Sequence, residues 1–100
     1  MNNVKITVVK RVEHKDLMEK YENPIAHPCD MQVGKSFISV NGEKPTGFCD
    51  SAWQSVYPFA MALSCGAQDF YSGWMKNKKS AMISCNDGFR PVSFLLETIE

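Results

Sequence analysis

The sequence predicts a small α+β domain, and three observations carry that prediction. A β-branched alternation, VKITVVKRV, stands near the start; an apolar stretch at helical spacing begins at Asp50; a strand–turn–strand pattern closes the chain around Asn86-Asp87-Gly88. The expected architecture is a small antiparallel or mixed sheet covered by a short helix and a longer, Pro-interrupted helix. With 100 residues, a single compact domain over 1–100 is expected.

Each element has its own local reason. Residues 4–12 read as the first strand: Val4, Ile6 and Val8 fall on one side and Lys5, Thr7 and Val9 on the other, which suits an interior strand with both faces partly covered. Residues 13–23 read as a short helix, with Leu17, Met18 and Tyr21 three to four apart and Asn23-Pro24 as its stop. Pro24, Pro28 and Gly34 mark an irregular connection that carries Cys29. Residues 36–40 form a second strand, followed by Asn41-Gly42, a pair suited to a tight turn. The run from Asp50 to Leu63 is the strongest helix, with Trp53, Val56, Tyr57, Ala60 and Leu63 as its expected core stripe. Pro58 should bend or divide it. Phe70, Tyr71 and Trp74 are too aromatic for an inert linker and are expected to cover one end of the core or to offer a contact surface. Residues 80–99 read as a closing hairpin.

Composition excludes several function classes. Eleven Lys plus Arg balance eleven Asp plus Glu, so no general attraction to nucleic acid or acidic lipid is expected. The one basic cluster, Lys76, Lys78 and Lys79, reads as a solvated surface. No run approaches the ~18 apolar residues of a membrane span, and the N-terminus lacks the apolar segment of a secretory signal. Cytoplasmic residence is the expectation, and there the four cysteines should be thiols or metal ligands rather than disulfides.

Chemistry therefore centres on Cys29, Cys49, Cys65 and Cys85. They form no CxxC knuckle. Cys49 directly precedes Asp50 and Ser51, either of which can cap the next helix. Unpaired amides at a helix start favour an anionic sulfur, which makes Cys49 a candidate nucleophile. Cys85 ends a strand, and Arg90 lies across the following turn, where it can pair with Asp87 or hold an anionic ligand. His27 and Cys29 stand close enough in sequence to share a metal. Cys65, at a helix end, reads as packing near a C-cap.

The segments Val4-Lys5-Ile6-Thr7-Val8, Pro28-Cys29, Val33-Gly34, Gly47-Phe48-Cys49, Ala52-Trp53, Tyr57-Pro58 and Asp87-Gly88-Phe89-Arg90-Pro91-Val92 together span nearly the whole chain. In these the sequence resembles a family of small uncharacterised, cysteine-containing cytoplasmic proteins found mainly in anaerobic bacteria and archaea. The resemblance implies that Cys29, Cys49, Cys85, Trp53 and Arg90 belong to a recurring pattern, without assigning a reaction. The chain departs from the pattern at Asp30, where proline often follows the cysteine, at Cys65, where a non-cysteine is usual, and at Ser84, where a second cysteine can occur.

The functional expectation is a binding or redox-related protein. Cys29, Cys49 and Cys85 would hold a soft metal (zinc, iron or copper) or a small molecule, with His27, water or a bound ligand at a fourth metal position. Trp53 would build the wall and Arg90 would supply charge. Two alternatives stand beside it: a small enzyme using Cys49 with Arg90 or His27, and a non-enzymatic homodimer or larger homo-oligomer built through the aromatic 70–74 stretch.

Overall fold

The computed structural model describes residues 1–26 and 28–99. Its elements run β1 (Asn3–Arg11), α1 (Lys15–Tyr21), β2 (Ser36–Ser39), α2 (Asp50–Ser64), β3 (Ser80–Ser84) and β4 (Val92–Ile99). The strands form one sheet in the order β2-β1-β4-β3, and every neighbouring pair is antiparallel. This is the α+β class that the sequence predicts.

β1 is an interior strand because its alternation presents Val4, Ile6 and Val8, all fully buried, to one face. Cross-strand register carries that face across the sheet: Ile6 lies opposite Phe37 of β2 and Leu96 of β4, and Val8 lies opposite Phe94. The other face is more open than expected, since Lys5 and Val9 are exposed. A register shift between Val8 and Lys10 makes Val9 the extra residue of a bulge.

α2 covers the apolar face. Ala52, Val56, Ala60 and Leu63 recur at helical spacing and are buried against β1, β3 and β4. Each fully buried Val or Leu here contributes about 1.5–3 kcal/mol relative to exposure. The expected interruption at Pro58 does not occur: α2 is continuous from Asp50 to Ser64. Pro58 and Gln54 are both exposed. The carbonyl that loses its partner to proline therefore sits on the helix side that faces water. The helix closes in a Schellman arrangement, with Gly66 N–H on the Leu63 carbonyl and Ala67 N–H on that of Ala62.

α1 buries none of its residues, so covering the sheet falls to α2. The chain around α1 is held by polar contacts instead. Val12 N–H donates to the Pro91 carbonyl, His14 N–H to that of Phe89, and Glu22 pairs with Arg90. The Asn41-Gly42 turn forms, with both residues at positive φ, but no strand follows it. Phe70 packs on the core as expected, whereas Tyr71 and Trp74 are exposed and stack on each other with ring centroids 4.9 Å apart.

Candidate functional site

Three segments meet at one end of the sheet, and each delivers a cysteine. The first is the irregular connection between α1 and β2, where the Arg11 guanidinium donates to the Cys29 carbonyl at 2.9 Å. That bond fixes the backbone and leaves the thiol unengaged by it.

The second is the approach to α2. Phe48 donates its N–H to the Pro45 carbonyl, closing a turn in which Gly47 has φ +80. That value suits the third position of a type II turn and favours glycine. The turn drives Phe48 into the core, edge-on to Phe37 at 5.0 Å and tilted against Phe94 at 5.2 Å. With Phe48 anchored inward, Cys49 follows on extended backbone and is exposed. Cys49 is itself the N-cap of α2, in place of the expected Asp50 or Ser51, and its side chain makes no capping hydrogen bond. The Asp50 carboxylate is answered by Lys44.

The third segment is the β3–β4 turn. Cys85 N–H donates to the Val92 carbonyl at 2.9 Å, and Val92 N–H returns a bond to the Cys85 Sγ at 3.2 Å. Asp87 Oδ1 accepts from the N–H groups of Phe89 and Arg90, which shapes the turn.

Cys29, Cys49 and Cys85 line a single pocket of about 120 Å³. Its apolar surface comes from Met31, Ala52, Val92 and Phe94, and its polar rim from Ser51, Asn86, Asp87 and Arg90. Ser51 and Asn86 tie two walls together: the Ser51 hydroxyl donates to Asn86 Oδ1 at 2.7 Å, and Asn86 Nδ2 donates to the Ser51 carbonyl at 3.0 Å. Cys65 does not line the pocket. It sits at the far end of α2, exposed, with its sulfur 3.9 Å from that of Met61.

Two expected site residues have other roles. Trp53 does not line the pocket but packs beside Phe48 and Tyr57. Arg90 does line it, yet its side chain pairs with Glu22 rather than Asp87, through two bonds of 3.0 and 2.5 Å. The bond to the Glu22 carboxylate raises the Arg90 pKa above its ordinary value against an opposing effect of burial, with further help from the charges of Glu22, Asp87 and Glu13. The guanidinium therefore brings little unbalanced charge to the pocket.

The expected metal site also changes. Among the described residues, no group of three or more His, Cys, Asp or Glu side chains is gathered to hold a metal ion. The three cysteines share a cavity without forming a ligand cage. His27, one of the expected fourth ligands and an expected helper of Cys49, lies outside the described residues. All four cysteines are free thiols.

Sequence reasoning missed Glu22, Arg11, Ser51 and Asn86. Ser51 and Asn86 each stand close to a cysteine already singled out, which was a usable signal; Glu22 and Arg11 had none. Comparison with family models, curated proteins and solved structures finds no match for this chain, so the resemblance described above rests on its motifs alone. No helix among the described residues is long and apolar enough to cross a membrane.

Proposed function

We propose that this chain is a thiol-based binding protein that takes a small, uncharged, thiophilic molecule in the Cys29/Cys49/Cys85 pocket. One observation carries the reading: three cysteines from three separate segments line one cavity, and the fourth does not. The volume of about 120 Å³ is well below the roughly 300–1,000 Å³ of pockets for drug-sized ligands, which restricts the occupant to a few heavy atoms. Glu22 already balances the Arg90 guanidinium, and Asp87 adds a further negative charge on the rim, so a neutral ligand fits better than an anion. Ser51 and Asn86 add hydrogen-bonding partners beside the sulfurs.

The test is native mass spectrometry and elemental analysis of protein purified without oxygen. A small molecule bound to wild type and lost in the Cys29/Cys49/Cys85 triple serine variant supports the reading. Binding that survives in the triple variant overturns it. Near-stoichiometric zinc, iron or copper lost with the thiols would replace the small molecule with a metal as the occupant.

A second reading is supported by the exposed pair Tyr71 and Trp74, beside the edge strand β3 and exposed Met82. Tyr71, Ser72 and Gly73 follow one another at positive φ, a conformation that costs about 1–2 kcal/mol for each non-glycine residue. Self-association through this patch would make the chain an assembly protein. Sedimentation of the Tyr71→Ser/Trp74→Ser variant decides the matter: an oligomer that survives the double substitution refutes this reading.

A further inference from the structure

We infer that Cys49 and Cys29 form a two-electron redox couple, in which Cys49 reacts with a hydroperoxide and Cys29 closes the disulfide. The inference rests on the thiol-lined pocket proposed above and adds its regulation. Of the three thiols lining the pocket, Cys49 is exposed while Cys29 and Cys85 are half-buried, so an oxidant from solvent meets Cys49 first. It is the N-cap of α2 and its side chain makes no capping hydrogen bond, so the N–H groups of the first turn, opposed in part by Asp50, favour negative charge developing nearby.

The choice of Cys29 over Cys85 as partner follows from what holds each. Cys85 is bonded to Val92 through both its backbone and its sulfur, and drawing that sulfur toward Cys49 breaks the N–H···S bond at the start of the hairpin ladder. Cys29 lies between α1 and β2, outside any helix or strand, and among the described residues its one side-chain tether engages the carbonyl rather than the thiol. A disulfide sets its Cα atoms about 4.4–6.8 Å apart. The Cys29 segment can adjust to that demand without disturbing the sheet.

The chemistry balances in two steps. Cys49 Sγ attacks the terminal oxygen of the hydroperoxide; the S–O bond forms, the O–O bond breaks, and the thiol proton passes to the departing oxygen to give an alcohol, or water from hydrogen peroxide. Cys49 becomes a sulfenic acid. Cys29 Sγ then attacks Cys49 Sγ; the S–S bond forms, the S–O bond breaks, and hydroxide leaves as water with the Cys29 proton. The two thiols are oxidised together and one peroxide is reduced. The bond spans the pocket and removes two of its three free sulfurs, so oxidation should release the ligand.

The experiment treats the full chain with one equivalent of hydrogen peroxide, blocks the remaining thiols with N-ethylmaleimide, and maps the peptides by mass spectrometry. The expected product links Cys29 to Cys49, with Cys65 and Cys85 alkylated. In Cys29→Ser, Cys49 should be trapped by dimedone as the sulfenic acid; in Cys49→Ser, the same dose should leave Cys29 reduced. Cys65 is the control, an exposed thiol outside the pocket. A Cys49–Cys85 link, or oxidation of Cys65 as fast as Cys49, overturns the inference. If reduced wild type binds its ligand and no Cys29–Cys49 bond forms, only this inference fails. If the bond forms in a protein that binds nothing, only the binding function fails.

Discussion

Replacing Pro58 with alanine should stabilise the protein. Pro58 lies well inside the unbroken helix Asp50–Ser64, where proline is about 3 kcal/mol less favourable than alanine. Two effects reduce that figure. The Gln54 carbonyl left without a partner is on an exposed residue and can bond water. Alanine also loosens the unfolded chain, which returns about 0.4–1 kcal/mol. The exposed ring contributes no core packing that alanine would forfeit. A net gain of about 1–2 kcal/mol remains, which raises the Tm of a domain this size by about 4–16 °C. Thermal melts by circular dichroism, with urea unfolding as a second measure, read the change directly. An unchanged or lower Tm would refute the reasoning, because it would mean that α2 is fitted to the sheet through a bend that proline supplies.

Further predictions concern the pocket walls. Asn86→Ala removes both bonds to Ser51; each is worth about 0.5–1.5 kcal/mol, and exposure puts the pair at the low end, about 1 kcal/mol together. The urea midpoint should fall by that amount, and iodoacetamide should modify Cys49 and Cys85 faster; unchanged rates would mean that the bonds do not hold the walls. Gly47→Ala places a Cβ in open space but at φ +80, so its effect is purely conformational, a loss of about 1–2 kcal/mol seen in the same urea assay. Glu22→Gln breaks the ion pair that fastens the segment after α1 to Arg90, and alkylation of Cys29 should accelerate. The pH dependence has a definite sign. A cation whose folded pKa is raised contributes stability below its unfolded pKa and loses it only as pH rises through the folded value. For Arg90 that window lies above the ordinary arginine range, so between about pH 6 and pH 10 the contribution of this arginine should stay flat; a steep alkaline loss in wild type that Glu22→Gln abolishes would contradict this.

What the sequence made legible follows the range of the forces involved. The buried side of β1 can be read from Val4, Ile6 and Val8 because strand alternation is local. The closing hairpin can be read from Asn86-Asp87-Gly88 for the same reason. The strand order β2-β1-β4-β3 is not legible, since β1 and β4 pair across most of the chain. α2 illustrates a middle case. Its buried stripe can be placed from Val56, Ala60 and Leu63, but Trp53 falls one residue off the face that Ala52 shares with Val56 and Ala60, and so turns toward Tyr57. Closeness in sequence suggests an Arg90–Asp87 pair. Yet the Asp87 Oδ1 already accepts from two turn N–H groups, and the guanidinium finds its bidentate partner in Glu22 across the fold.

The meeting of the cysteines has the same mixed origin. Each of the three pocket cysteines stands where regular structure stops: Cys29 in a connection, Cys49 at a helix cap, Cys85 at a strand end. The sequence alone marks these positions. Whether they share an end of the molecule depends on topology. β4 leaves the Cys85 turn and runs antiparallel to β1, placing Val92 opposite Arg11. Arg11 in turn holds the Cys29 carbonyl, so the first and last strands bring two of the cysteines to one end of the sheet. α2 starts at that end because Phe48 is locked between Phe37 and Phe94. The thiol pocket is therefore built by sheet pairing and one aromatic anchor, none of it local. Phe48→Leu should test this: loss of the ring stacking should free Cys49 from the pocket and make its alkylation rate match that of Cys65, while β1–β4 pairing keeps Cys29 and Cys85 slow. If Cys49 stays distinct from Cys65 in that variant, the aromatic anchor is not what places it.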